Sequence, residues 1–275
     1  MDDLAGWIGR SQTQQDEITW PALRRIAALL DRDDPGFAPG TPIPPHWYAM
    51  FFPEIARQSQ LGADGHPRRG DFLPPVPLPR RMFAGRRVRF VGGLRVGDVA
   101  TKVSEILSVT PKLGRSGAMV FVTIRHTISV GADIALIEEQ DVVYREAAVP
   151  GGVAPLPVQA PQALWSEIVT PDPTLLFRYS AVTWNTHRIH YDADYVRNVE
   201  NYPDLVMNGG LTALLLIEAA TKRLGPPTGL EIRNLSPLFV NRPITLAGAA
   251  PDGHAAAIWA ANPDGGLAVQ VKFIL

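Results

Sequence analysis

Residues 211 to 220, LTALLLIEAA, are apolar on almost every face of a helix. A helix of that kind has no face to give to water and must be enclosed. Gly225, Pro226 and Pro227 stop it, so the apolar stretch is well short of the roughly 20 residues that cross a bilayer, and what encloses it is protein. The segments that follow, LEIRNLSPLFVNRPITLAGAA, AAAIWAANPDG and GLAVQVKFIL, read as three strands with turns at Pro251 to Gly253 and Pro263 to Gly266. A buried helix wrapped by an antiparallel sheet is the expected arrangement.

A similar run of strands lies upstream: RRVRFV, VATKVSEILSVTPK, GAMVFVTIRHTISV and ALIEEQDVVYRE, β-branched and bounded by Gly and Pro. Residues 19 to 31, TWPALRRIAALLD, form an amphipathic helix with Thr19 as N-cap and Pro21 in its first turn. Between them, residues 32 to 85 are dense in Pro and Gly and read as a long structured loop, with Trp47, Phe51, Phe52, Phe72 and Phe83 as packing aromatics. The uncharged stretch 151 to 163 has a linker composition. The chain therefore divides into a first half, 1 to 150, and a second, 164 to 275, in an α+β architecture. Residues 165 to 185, which open the second half, read as mostly strand-like.

Charge and residue usage narrow the function. With 26 Lys plus Arg against 27 Asp plus Glu, the surface has no broad basic excess for a nucleic acid. The absence of cysteine removes disulfides, thiolate nucleophiles and Cys-based metal sites. The first residues carry acids where a signal peptide needs a basic start and an apolar core. No membrane association and a cytoplasmic location are expected.

Chemistry-bearing residues concentrate in two strings. The first, WNTHRIHYDAD, holds Asn185, His187, His190 and Asp192. A spacing of three between histidines can mean no more than two polar residues on one helical turn. A metal set of His187, His190, Asp192 and Asp194 is the weaker reading, since no HExxH or comparable signature accompanies it. The second string, YPDLVMNGGL, runs into the buried helix, whose free N-terminal amides favour negative charge at Gly209 and Gly210.

The order of these strings, with LGADGHPRRGDFLPPVPLPRRMFAG, KLGRSGAMVFVTIRH and EEQDVVYRE, resembles the MaoC-like hydratases of the hotdog superfamily. The branch it resembles most is the hydratases of 3-methylfumaryl-CoA (mesaconyl-C4-CoA) or itaconyl-CoA. The resemblance implies a double hotdog with a degenerate N-terminal half, an acyl-CoA substrate, and no cofactor or metal; it leaves a homodimer open. It implies His190 as the base that takes a proton from water, Asn185 as the residue that orients that water, and Gly209 or Gly210 as donor to the thioester carbonyl. Relatives carry an acid where Asn185 stands and a His where Asn208 stands. His187, Arg188, Arg80, Arg81, Arg86, Arg87, Lys112 and Arg115 are candidates for substrate or CoA-phosphate binding. A dicarboxylic acyl group would need a cation, from Arg188 or the Arg80 to Arg87 group. The competing readings are a 3-hydroxyacyl-thioester dehydratase of fatty-acid synthesis and a non-catalytic acyl-CoA binding module.

Overall fold

The computed structural model describes residues 4–33, 36–68, 72–114, 117–146 and 158–275. Ten strands form one antiparallel sheet: β1 (Ser11–Glu17), β2 (Arg80–Phe90), β3 (Val99–Gly114), β4 (Gly117–Val130), β5 (Asp133–Arg145), β6 (Trp165–Val169), β7 (Gly229–Asn234), β8 (Ile244–Gly248), β9 (Ala255–Ala261) and β10 (Leu267–Ile274). Their order is β1-β3-β4-β5-β2-β7-β10-β9-β8-β6. The first five come from the first half of the chain and the last five from the second. The seam is the pairing of β2 with β7, from Gly85↔Arg233 to Arg89↔Gly229. The double-hotdog α+β expectation holds, with the two sheets fused edge to edge.

Among the described residues four α-helices join the sheet: α1 (Trp20–Leu29), α2 (Pro173–Val182), α3 (Ala193–Asn198) and α4 (Gly209–Leu224). Helix α4 is the enclosed one, and Leu211, Leu214, Leu216 and Ile217 are each nearly fully buried. Burial of side chains of this size stabilises by roughly 1.5–3 kcal/mol apiece. Helix α1, the counterpart in the first half, buries only the Leu23, Ile26, Ala27 and Leu29 stripe. Both helices share one apolar core. A second, smaller core lies under the long β3–β4–β5 arm, where Val76, Phe72, Leu73 and Leu78 of the Pro-rich segment cover Ile106, Val122 and Tyr144.

Several expected boundaries move. The Pro-rich loop ends at Pro79, because β2 begins at Arg80 and not at Arg86, which puts Arg80 and Arg81 on a strand. The segment 165 to 185 is strand only through Val169. Residues 173 to 182 are helical, with Pro173 in the first turn and the Asp172 carboxylate accepting from Leu175 N–H at 2.7 Å. The region read as three terminal strands holds four, since β7 and β8 are separate. Strand β1 was not anticipated, and Thr19 stands at the N-cap of α1 without a side-chain cap bond. Of the linker, residues 151 to 157 lie outside the described residues; Gln159 bridges to Gly266.

One acidic group interrupts α4. Glu218 is 4% exposed, and its carboxylate accepts from Trp47 Nε1 at 2.6 Å, meets His46 Nε2 at 2.7 Å and pairs with Arg32 at 2.6 Å. Burial works to raise its pKa, but the His46 and Trp47 bonds and the Arg32 charge hold it below the usual value. The charge in the enclosed helix is thus a clamp on the first half. Glu218→Ala leaves these donors unsatisfied, and we expect a loss of about 3 kcal/mol, read as a lower urea midpoint at unchanged slope.

Candidate active site

The site is assembled by the ends of short elements. Helix α2 closes at Thr183, and Asn185 N–H returns to the Ser180 carbonyl at 2.8 Å, a closing turn that needs a left-handed residue at 184. Trp184 fills that place at φ 54 where glycine is usual, a strained conformation that the surroundings impose. This sets Asn185 at the mouth of a cleft. Its Oδ1 accepts from His187 N–H at 3.0 Å, so the amide NH2 is the end left for a ligand.

The next turn, a short 3-10 helix over Arg188–His190, brings His190 inward. Ile189 carbonyl accepts from Val206 N–H at 2.9 Å, and Val206 carbonyl meets His190 Nδ1 at 2.7 Å. A carbonyl can only accept, so Nδ1 carries the hydrogen and Nε2 presents a lone pair. Burial lowers the His190 pKa to about 4, against a partial rise from the Val206 bond. The ring is neutral at neutral pH and able to take a proton.

Asp192 is not part of the reacting set. It caps α3 by accepting from Tyr195 N–H at 2.9 Å and holds the Arg188 guanidinium at 2.7 Å. Arg188 also donates to Ala63 carbonyl at 3.0 Å, and its backbone N–H donates to Asp64 carbonyl at 2.9 Å. Arg188 therefore fastens the 61–67 loop and is absent from the cleft lining. Gly65, at φ +86, sits so close that a Cβ would strike the Thr186 carbonyl. The same docking lays the His66 ring on His187, centroids 4.0 Å apart, and His187 meets His190 edge-on at 5.5 Å. His187 is pushed far below its usual pKa by burial and then by the neighbouring histidines. Burial raises the Asp64 carboxyl, but its bonds from the His66 side chain and backbone dominate and hold it well below the usual range.

Asp64, His66 and His187 place one ligand atom each within 4.8 Å of one another. This is the set that could hold a cation. It shares only His187 with the metal set weighed from sequence; Asp192 is committed to Arg188 and Tyr195, and His190 and Asp194 do not join the group.

The N-terminus of α4 lines the same cleft as His190. The cleft, about 710 Å³, is lined by Asn185, His187, His190, Asn208, Gly209 and Gly210 among others. Asn208 is 2% exposed, caps no backbone group, and has no partner on either amide atom. Gly210 faces the Tyr179 hydroxyl where a Cβ would collide with it, and Gly209 faces the Asn234 side chain. Tyr179 has its pKa raised by burial to about 12, so it is a neutral phenol. Asn208, Gly209, Gly210 and Tyr179 thus line the cleft together, with Gly210 in close approach to the Tyr179 hydroxyl.

Of the other basic candidates, Arg80 and Arg81 line the cleft. Arg86 is buried against Glu138 at 3.5 Å and over the Phe83 ring, and lines a small cavity with Gly210 rather than the main cleft. Arg87 is on the surface, paired with Asp141 at 2.6 Å. Lys112 lies over Phe121 at the β3–β4 hairpin end, 4.7 Å from the ring centroid. Arg115 is outside the described residues. Sequence reasoning missed Asp64, His66, Tyr179 and Asn234. The DGH string carried a signal, but nothing in its spacing connects it to residues 121 positions later.

Comparison with known proteins now bears on this geometry. The model of the hydroxyacyl-thioester dehydratase type 2 family matches residues 46–240. The chain belongs to that family. It is 44% identical over 273 residues, 98% of its length and 96% of the relative's, to the mesaconyl-C(4)-CoA hydratase of Chloroflexus aurantiacus. Among solved structures, a MaoC-like dehydratase from Phytophthora capsici superposes with a TM-score of 0.68 at 14% identity, covering 100% of this chain and 98% of that one. A Mycobacterium tuberculosis protein described as a double hotdog fold gives 0.58 at 15% identity over 99% and 96%. These last two show the fold alone.

Because the folded His190 pKa lies below its unfolded value of 6.5, the unfolded chain binds more protons between the two, so stability is full above that value and falls as pH drops toward about 4. The rate should follow the same group: kcat/KM stays level from pH 8 to about 5 and drops through about 4. Loss of half the rate already near pH 6.5 would show an unshifted imidazole. For the Asp64, His66, His187 set, we expect activity to survive exhaustive chelation, because enoyl-thioester hydration needs only a base and oxyanion donors. Loss on chelation with recovery on adding zinc would make the cluster a functional metal centre.

Proposed function

We propose that this protein is a hydro-lyase that adds water reversibly to an enoyl-CoA, with mesaconyl-C4-CoA as its substrate and citramalyl-CoA as its product. The observation that carries the mechanism is the His190 ring, buried, neutral, fixed by Val206 through Nδ1 and lining one cleft with Asn185 and the N-terminus of α4. The relative of 44% identity supports the substrate.

Water held by the Asn185 amide N–H loses a proton to His190 Nε2 as its oxygen bonds to the β-carbon. The π electrons shift to the thioester, and the developing enolate oxygen takes hydrogen bonds from the α4 N-terminus at Gly209 or Gly210. The α-carbon then takes a proton. Asn185 cannot exchange one at ordinary pH, so the imidazolium of His190 is the source the motif provides. Itaconyl-CoA, whose hydration also yields citramalyl-CoA, has its double bond between the β- and γ-carbons; moving one proton from the α- to the γ-carbon converts it to mesaconyl-C4-CoA, which then enters the same step. The dehydratase reading of linear acyl chains is the same reaction run backwards, and the family description favours keeping it as the second reading. Among the described residues no helix is long and apolar enough to cross a membrane, and we place the protein in the cytoplasm.

The deciding experiment assays purified protein in parallel on mesaconyl-C4-CoA, itaconyl-CoA and crotonyl-CoA. We expect the two branched acids to be preferred; a preference for crotonyl-CoA would hand the site to the linear dehydratase reading. His190→Ala should cost about 10²–10⁴-fold in rate with the fold intact by circular dichroism. At position 185 the side chain is separable into shape and charge. Asn185→Ala should lose most of the rate, whereas Asn185→Asp should stay active and gain a second titrating group, since a carboxylate beside His190 favours the imidazolium. A fully active Asn185→Ala would remove the water-holding role.

A further inference from the structure

The proposed substrate has a feature that constrains where it can be recognised. In the C4 thioester of mesaconate the free carboxylate is carried by the β-carbon, the same carbon that receives the hydroxyl. When that carbon meets the water held by Asn185 and His190, the carboxylate is only two bonds from the attacking oxygen. The anion must therefore be met beside His190, within the reacting part of the cleft.

The charged groups lining the described cleft can be taken in turn. Asp64 is occupied by His66 at 3.2 Å. Glu200 accepts from Tyr195 at 3.2 Å, and Glu54 faces the Lys102 ammonium electrostatically. Arg80 donates to the Tyr202 hydroxyl at 3.2 Å. His187 and His190 are both held neutral by burial. Arg80 keeps its charge but is tied to the Tyr202 hydroxyl; the cleft cation whose side chain has no hydrogen bond or ion pair among the described residues is Arg81, which is half-buried. It lines the same cleft as His187 and His190, whose rings stand 5.5 Å apart. A half-desolvated guanidinium without a counter-ion is unfavourable until an anion arrives, and its planar fork fits a carboxylate through two parallel bonds.

We propose that Arg81 is the specificity-determining residue that binds the carboxylate on the hydrated carbon, an assignment that rests on the substrate reading above. The residue does not touch the bond that forms. It selects acyl groups with an anion at the β-position and turns that carbon toward the water. An acyl group with a methyl in place of the carboxylate leaves Arg81 unpaired, so it is rejected by the penalty of a buried unmatched charge.

The test separates binding from turnover by using saturated analogues that cannot react. Dissociation constants are measured by calorimetry for the methylsuccinyl thioester that keeps the carboxylate at the β-carbon, and for isovaleryl-CoA, in which a methyl replaces it. We expect Arg81→Gln to weaken the carboxylated analogue by about a hundredfold while moving isovaleryl-CoA less than about threefold, with Arg81→Lys between the two. Equal weakening of both analogues would overturn the assignment, because it would mean that Arg81 holds the shared CoA phosphates. No change for either would overturn it too. Wild-type turnover of mesaconyl-C4-CoA is scored beside these measurements. An active wild type with an indifferent Arg81→Gln sinks the assignment and spares the substrate reading, whereas an inactive wild type sinks the reading and the assignment that rests on it.

Discussion

The rest of the structure depends on one constraint: α4 must be dry along its length and still leave its first amides open. Dry flanks require cover on every side, and β8, β9 and β10 provide it together with the short helical turn Pro45–Met50 that carries His46 and Trp47. The open end requires that nothing from the chain cap it. Asn208 occupies the N-cap and makes no side-chain bond there, although Asn is among the best capping residues. A good cap left idle in a dry cleft keeps the helix end available to a ligand oxygen, and that restraint costs stability that the apolar length of α4 offsets.

The base is made by the same desolvation. An imidazole in water is half-protonated near 6.5 and would be a poor acceptor in mild acid. Enclosing His190 under the α4 end and fixing its Nδ1 on Val206 makes the ring neutral and single-tautomer at once. The 61–67 loop contributes by closing over the motif: the bonds from Thr186 and Arg188 to Gly65 and Asp64 seat His66 against His187. Catalytic environment and loop docking are thus one packing event, and a Cβ at residue 65 would obstruct both.

How much of this was legible depended on whether the signal was local. Strand β4 begins and ends at the residues the pattern suggested, because strict alternation between turn residues is a local property. The buried α4 was legible for the same reason. Helix α2 was hidden by its Thr, Val and aromatic flanks, although Asp172 followed by Pro173 was a readable start. Arg80 and Arg81 were read as loop residues because the prolines before them are a strong local break, and the strand begins directly after Pro79, six residues before the expected Arg86. The motif around His190 was legible through resemblance, but the pairing of Asp64 and His66 with it was not. Contacts across more than a hundred residues leave no periodicity to read.

The departure at Asn185 ties these observations together. With an acid at that position, two groups share the proton traffic and the base tolerates a wetter setting, because the carboxylate stabilises the imidazolium. With an amide, the imidazolium formed after water attack has no anion of its own in the motif, since Asp192 is spent on Arg188 and Asp64 on His66. The proton is held weakly and leaves readily. A ring with a pKa near 4 is a modest base toward water but a strong acid once protonated, which favours rapid return of the proton to the α-carbon. In the proposed mechanism the slower half of the reaction is then removal of the proton from water, and that is the half the α4 amides would assist by stabilising the enolate as it forms.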